Sequence, residues 1–166
     1  MRELDLTDTL RELWSDAIAA NRSRLLLIVS AENCAGCDEL DRQLRAPEIQ
    51  RLLDVQATVH VAKAGDLYDD PAGRVRIGHW TLESPGFPTT WIFEPDANGG
   101  LTFCSLILGP IPSSIPQAEL SAALAGTSAW PDEAAGVQVR VCAGPMCFVL
   151  RESNDFRADF RIRLPA

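Results

Sequence analysis

The residues of this chain best able to do chemistry are its cysteines: Cys34, Cys37, Cys104, Cys142 and Cys147. Cys34-Ala35-Gly36-Cys37 follows an apolar run, Leu25 to Val29, and precedes a helical pattern from Asp38. A Cys at a helix N-terminus faces unpaired backbone N–H groups and the positive end of the helix dipole. Both favour the thiolate, which is the nucleophile. The chemistry expected of such a pair is thiol–disulfide exchange. Cys34 attacks a substrate disulfide, and Cys37, one turn on, resolves the mixed disulfide. A structural disulfide or half of a metal site would use the same two residues. Cys142 and Cys147 are candidate secondary thiols flanking Gly144-Pro145. They suit a hairpin disulfide, a relay of electrons from the first pair, or two small apolar residues beside a turn. A zinc site from both pairs would need a ligand spacing at Cys142–Cys147 slightly outside the commonest, and no metal is assigned. Cys104, inside an apolar strand, is expected to be buried and inert.

The elements that must position these residues follow from periodicity. Leu10, Leu13, Trp14 and Ile18 form a helical stripe over about residues 8–22, capped by Thr7 or Asp8. Leu25 to Val29 shows no alternation, as expected of a strand buried on both faces. A helix should run from Cys37 to about Ala46, and Pro47 should restart a short one to Leu53. Thr58 to Ala62 reads as a strand with Val59 and Val61 inward. Asp69 or Asp70 should cap a short helix toward Ile77, with His79 and Trp80 irregular. Trp91-Ile92-Phe93 and Leu101 to Leu108 read as a hairpin joined through Asn98-Gly99-Gly100. A last helix, Gln117 to Leu124, begins after Pro116. Composition breaks at 126–136, beyond which Val137–Val141, Phe148–Arg151 and Phe156–Leu164 read as short strands. The expected organisation is an α/β domain over 1–128 with a C-terminal β extension over 129–166. Three roles are open to the extension: to extend the sheet, to cover one face, or to form a homodimer, since an exposed edge strand carrying Phe156 and Phe160 invites pairing.

Composition limits the partners. The chain has 166 residues, 46% apolar and 23% charged, with a formal net charge of −8. That charge disfavours nucleic acid and anionic membrane surfaces, which select a basic face. No apolar run approaches the roughly 20 residues of a membrane span. The polar, acidic N-terminus is not a signal peptide. An odd cysteine count, too sparse for a disulfide scaffold, fits a reducing compartment. The expected location is the cytoplasm, or the periplasm had a leader been removed.

The order helix, strand, Cys-x-x-C helix, strand, helix, hairpin, helix resembles the thioredoxin-like superfamily over about residues 8–125. Three stretches carry the resemblance: Ala31-Glu32-Asn33-Cys34-Ala35-Gly36-Cys37, Val61-Ala62-Lys63 and Gly86-Phe87-Pro88-Thr89. The last is similar to the family's Gly-x-Pro-Thr. The Cys37 to Ile49 pattern looks closer to bacterial thioredoxin-like reductases than to thioredoxin itself. The resemblance implies a central mixed sheet flanked by helices and a cis Phe87–Pro88 bond beside the dithiol. It also implies substrate binding along Phe87, Pro88 and Thr89, with no cofactor. The implied partners are a disulfide-bearing protein substrate and a recycling reductant. Four positions depart from the family: Asn33 where thioredoxins carry Trp, Ala35 and Gly36 in place of Gly-Pro, and Ile28 at the buried carboxylate. Two further functions share these features, a protein-binding module without turnover and an assembly factor delivering thiols or metal to a client.

Overall fold

The computed structural model describes residues 2–112, 115–126, 139–150 and 160–165. Among them are four helices and ten strands in two mixed five-stranded sheets. The protein is therefore α/β.

The second sheet carries the first cysteine pair. In it β2 (Arg24–Glu32) lies between β3 (Ala57–Asp66), to which it is parallel, and β6 (Thr89–Pro95), to which it is antiparallel. Next come β7 (Gly100–Leu108) and β10 (Arg161–Arg163), giving the order β10-β7-β6-β2-β3. The continuous apolar run of β2 is explained by burial on both faces. Leu26 and Ile28 face α2 (Ala35–Arg45), α3 (Pro47–Gln56) and α4 (Pro116–Leu124), meeting Leu40, Ile49 and Leu120. Leu25, Leu27 and Val29 face α1 (Thr7–Ala19) and the other sheet. Pro47 ends α2, because the residue before a proline is held extended, and it opens α3 at its first turn.

The first sheet has the order β1-β4-β5-β8-β9, built from β1 (Glu3–Asp5), β4 (Arg74–Ile77), β5 (Trp80–Glu83), β8 (Val139–Ala143) and β9 (Met146–Leu150). It replaces two expectations. Residues toward Ile77 form β4 rather than a helix, and Trp80 begins β5 rather than an irregular segment. Val75 and Ile77 are fully buried between half-exposed Arg74 and exposed Arg76, the alternation of a one-sided strand. Helix α1 is shorter than expected, and neither Thr7 nor Asp8 caps it through its side chain. Asp5 accepts from Thr7 N (3.0 Å) and Thr7 Oγ1 (2.7 Å) instead. These bonds, first that of the Thr7 hydroxyl, lower the Asp5 pKa below its ordinary value. In β3 Val59 packs partly buried against the core as expected, whereas Val61 is 42% exposed, and Ala57, Ala62 and Ala64 are the buried residues.

Strands beyond residue 128 join both sheets. β8 pairs with β5, and β10 pairs with β7. Val139, Val141, Leu150, Phe160, Ile162 and Leu164 share one buried cluster with Leu25, Trp91 and Phe93. Phe160, expected on an exposed edge, is 3% exposed and stacks on Phe103 at 4.8 Å between ring centroids. Phe156 lies outside the described residues. Asp96 pins β10 by accepting from Arg161 Nε at 2.9 Å. A Cβ at Gly100 would meet the ends of both side chains, so a larger residue there would displace this pair. No described helix is long and apolar enough to cross a membrane.

Candidate functional site

The site lies where β2 leaves the sheet. Asn33 carries the turn with φ of +57°, a left-handed conformation that Asn tolerates better than most residues. Its Nδ2 donates to Asp66 Oδ2, and Asp66 Oδ1 accepts from Tyr68 N at 2.9 Å. Leu67 N donates to Glu32 O at 2.9 Å. The turn after β3 is thus tied to the turn before Cys34.

Cys34 is the N-cap of α2. Its Sγ accepts from Cys37 N at 3.2 Å, so one orphan N–H of the helix points at the sulfur expected to be the nucleophile. Cys34 and Cys37 are disulfide-bonded, with Cα atoms 5.2 Å apart. Both are buried, at 3% and 6% exposure, in a small cluster with Ala31, covered by Leu67 and Phe87.

Phe87, Pro88 and Thr89 come to the same place. The Phe87–Pro88 bond is cis. Phe87 O stands 3.5 Å from Cys34 Sγ. Gly36 backs directly onto this segment: a Cβ there would meet Pro88 Cδ at 3.3 Å and Phe87 O at 3.7 Å. Pro88 and Thr89 are buried, and Thr89 Oγ1 donates to Gly86 O at 2.8 Å. The Pro88 carbonyl already accepts from Gly109 N at 2.8 Å, which leaves exposed Pro85 and Gly86 as the open part of the loop.

Cys37 also borders a cavity of about 350 Å³, lined with Ile28, Ser30, Asp38 and Lys63 among others. Ile28 supplies no proton, so the polar and charged residues lining the cavity with Cys37 are Ser30, Asp38, Asp41, Arg45 and Lys63. Sequence reasoning missed the roles of Leu67, Gly36 and the Asn33–Asp66 bond. Asn33 and Gly36, both departures from the resembled pattern, were the signals available in advance.

Cys142 and Cys147 are not part of this site. They are disulfide-bonded to each other across the β8–β9 hairpin, with Cα atoms 4.0 Å apart. Gly144 N, in their turn, donates to His79 O at 3.2 Å, and neighbouring Gly78 packs near Arg163 of β10. Arg163 pairs with Gly100, beyond the end of β6, whose Phe93 lies beside Leu25 at the start of β2. The dithiol follows Glu32 at the other end of β2. At about 3.3 Å per strand residue, roughly 20 Å of sheet separates the two pairs. They do not converge on a common metal, and no cluster of three or more metal-ligating side chains occurs among the described residues. Cys104 is half-buried rather than buried and forms no disulfide; its Sγ donates to Thr102 O at 3.7 Å, and burial raises its thiol pKa. The chain matches no family model and no curated protein.

Proposed function

We propose that the protein is a thiol–disulfide oxidoreductase of the thioredoxin-like kind, acting on a protein or small-molecule disulfide through Cys34 and Cys37. One observation carries the reading: Cys34 Sγ sits at the N-terminus of α2, accepts from Cys37 N at 3.2 Å, and faces Phe87 O beside cis Pro88. The β4–β5 hairpin stands where the thioredoxin-like order would place a helix, so the reading rests on the site more than on the whole architecture.

In the reduced protein the Cys37 N–H and the helix dipole stabilise the Cys34 thiolate. The thiolate attacks one sulfur of the substrate disulfide and expels the other as a thiolate. Cys37 then loses its proton and attacks Cys34 Sγ in the mixed disulfide. The Cys34–Cys37 bond forms, and the substrate leaves with two reduced sulfurs. The Lys63 ammonium, lining the cavity beside Cys37, favours the charged form of that second thiol. A separate reductant returns the dithiol. The exposed stretch Pro85-Gly86, leading into Phe87, is the edge against which an extended substrate docks.

Burial of Cys34 favours a second reading, a protein-binding module that keeps the pair closed and does not turn over. Dithiothreitol-driven insulin reduction separates the two. The oxidoreductase reduces insulin and loses that activity in Cys34→Ser. An inactive wild-type chain whose pair stays closed at cellular glutathione poise would overturn the first reading in favour of the second.

A further inference from the structure

The β8–β9 hairpin carries a cysteine pair that the proposed reaction does not use. Cys142 and Cys147 are directly opposed in register. Gly144, with φ of +58°, and Pro145 form the two-residue turn between Ala143 and Met146, a turn whose backbone matches strand twist without help. The alternation of the strands sets where the sulfurs point. Val139, Val141 and Leu150 are fully buried, whereas Arg140, Cys147 and Val149 are exposed and Cys142 is half-buried. The disulfide therefore lies on the face of the sheet turned away from the core. Among the described residues β9 is also an edge strand, with no further strand of the ladder beyond it.

As a staple this bond accomplishes little. Its ring is short, so it removes little freedom from the unfolded chain. The register it spans is already fixed by the turn and by burial of Val139, Val141 and Leu150. As a reactive group it is well placed, because exchange rates follow access to the attacked sulfur.

We propose that Cys142–Cys147 is a second thiol–disulfide exchange site, open to low-mass thiols from solvent and independent of Cys34–Cys37. A thiolate attacks exposed Cys147 Sγ and breaks the protein S–S bond. Cys142 leaves as a thiolate and takes a proton from water, and Cys147 holds the mixed disulfide. A second thiolate attacks the small molecule's sulfur, releasing its symmetric disulfide and the Cys147 thiolate. Two electrons pass from two thiols to the protein. With roughly 20 Å of sheet between the two pairs, exchange between them has to occur between chains or through a soluble carrier.

The test uses the full chain carrying Cys34→Ser and Cys37→Ser, so that its outcome is separate from that of the proposed function. The native protein is incubated with reduced glutathione, alkylated under acid quench and digested with trypsin. Mass spectrometry then reads the peptide of residues 141–151, which holds both cysteines. The expected result is two alkyl groups on this peptide, formed in native and urea-unfolded protein at rates within about threefold of each other. A peptide that stays cross-linked until urea is added would overturn the proposal and make the bond a shielded staple. The wild-type chain, read through the same peptide, repeats the test without any variant. Adding Cys142→Ser should leave Cys147 to form a glutathione adduct with oxidised glutathione. No adduct on the folded protein would also overturn it.

Discussion

Gly36 and Pro88 are in contact across the dithiol: a Cβ on Gly36 would stand 3.3 Å from Pro88 Cδ. Gly36 has ordinary helical backbone, where Ala would normally gain about 0.5–1 kcal/mol. The proline ring is fixed to the main chain and yields little. Gly36→Ala should therefore show no such gain, and Gly36→Val should lose stability and most of the insulin-reducing activity. Urea unfolding midpoints and insulin turbidity rates measure both.

Leu67 covers the buried Cys34–Cys37 pair from the turn that Asn33 and Asp66 tie down. Truncating it opens a path to sulfur at modest cost, since Leu67 is only partly buried. Leu67→Ala is expected to speed reduction of this disulfide by dithiothreitol several-fold. Stopped-flow tryptophan fluorescence follows it, and an unchanged rate would show that Leu67 is no barrier.

Lys63 and Cys37 line one cavity. Removing the ammonium takes away charge that favours the Cys37 thiolate. Lys63→Met should slow the resolving step, so that mixed disulfides with substrate accumulate relative to wild type. Acid-trapped intermediates on non-reducing gels report that ratio. A merely structural lysine would change stability without changing it.

Asp96 and Arg161 give an acid-sensitive tie on β10. The Arg161 guanidinium hydrogen bond chiefly, with the backbone N–H groups of Asn98 and Gly100, lowers the Asp96 pKa from 3.8 to about 2 against a smaller opposing effect of burial. The unfolded chain then binds the proton more readily than the folded one. This contribution is complete above about pH 4 and is lost as the pH falls toward 2. Both groups are partly solvated, so the effect is modest. Asp96→Asn should flatten the fall in unfolding midpoint across that interval, as followed by circular dichroism.

Phe160 tests how far the chain beyond residue 128 is needed. It stacks on Phe103 at 4.8 Å and on Trp80 at 5.1 Å. Phe160→Ala should cost about 3–5 kcal/mol. A chain ending at residue 128 should lose cooperative thermal unfolding, because it exposes the face of Leu82 and Phe103 that β8 and β10 cover.

The parts of the fold legible in sequence were those with one dominant local signal. Leu25–Val29 is apolar throughout because both its faces are buried, and Asn98-Gly99-Gly100 supplies the turn of the β6–β7 hairpin with φ of +81° at Gly99. Pro47 and Pro116 each open a helix as their fixed φ suggests. The β4 segment was misread because Asp69-Asp70-Pro71 resembles a helix start, although Arg74-Val75-Arg76-Ile77 alternates with a period of two. Strand β1 has only Leu4 to show, and its parallel pairing with β4 is a long-range event. In the candidate site, cysteine spacing and Gly86-Phe87-Pro88-Thr89 located the right residues. The cover over the sulfurs was not legible, since Leu67 reaches them through the Leu67 N to Glu32 O and Asn33 to Asp66 bonds between distant turns.

The closing of both sheets by late strands has a consequence for biosynthesis. β2, β3, β6, β7 and the three helices behind them leave the ribosome first. The face of Leu25, Leu27 and Val29 gains Leu10, Val75, Ile77 and Leu82 early, but the part of that cluster filled by Val139, Val141, Phe160 and Ile162 stays open until residues 139–165 have also emerged. The nascent chain thus carries an open apolar surface and a pair of uncommitted thiols for the last part of its synthesis. During that interval chaperones or premature pairing can reach both.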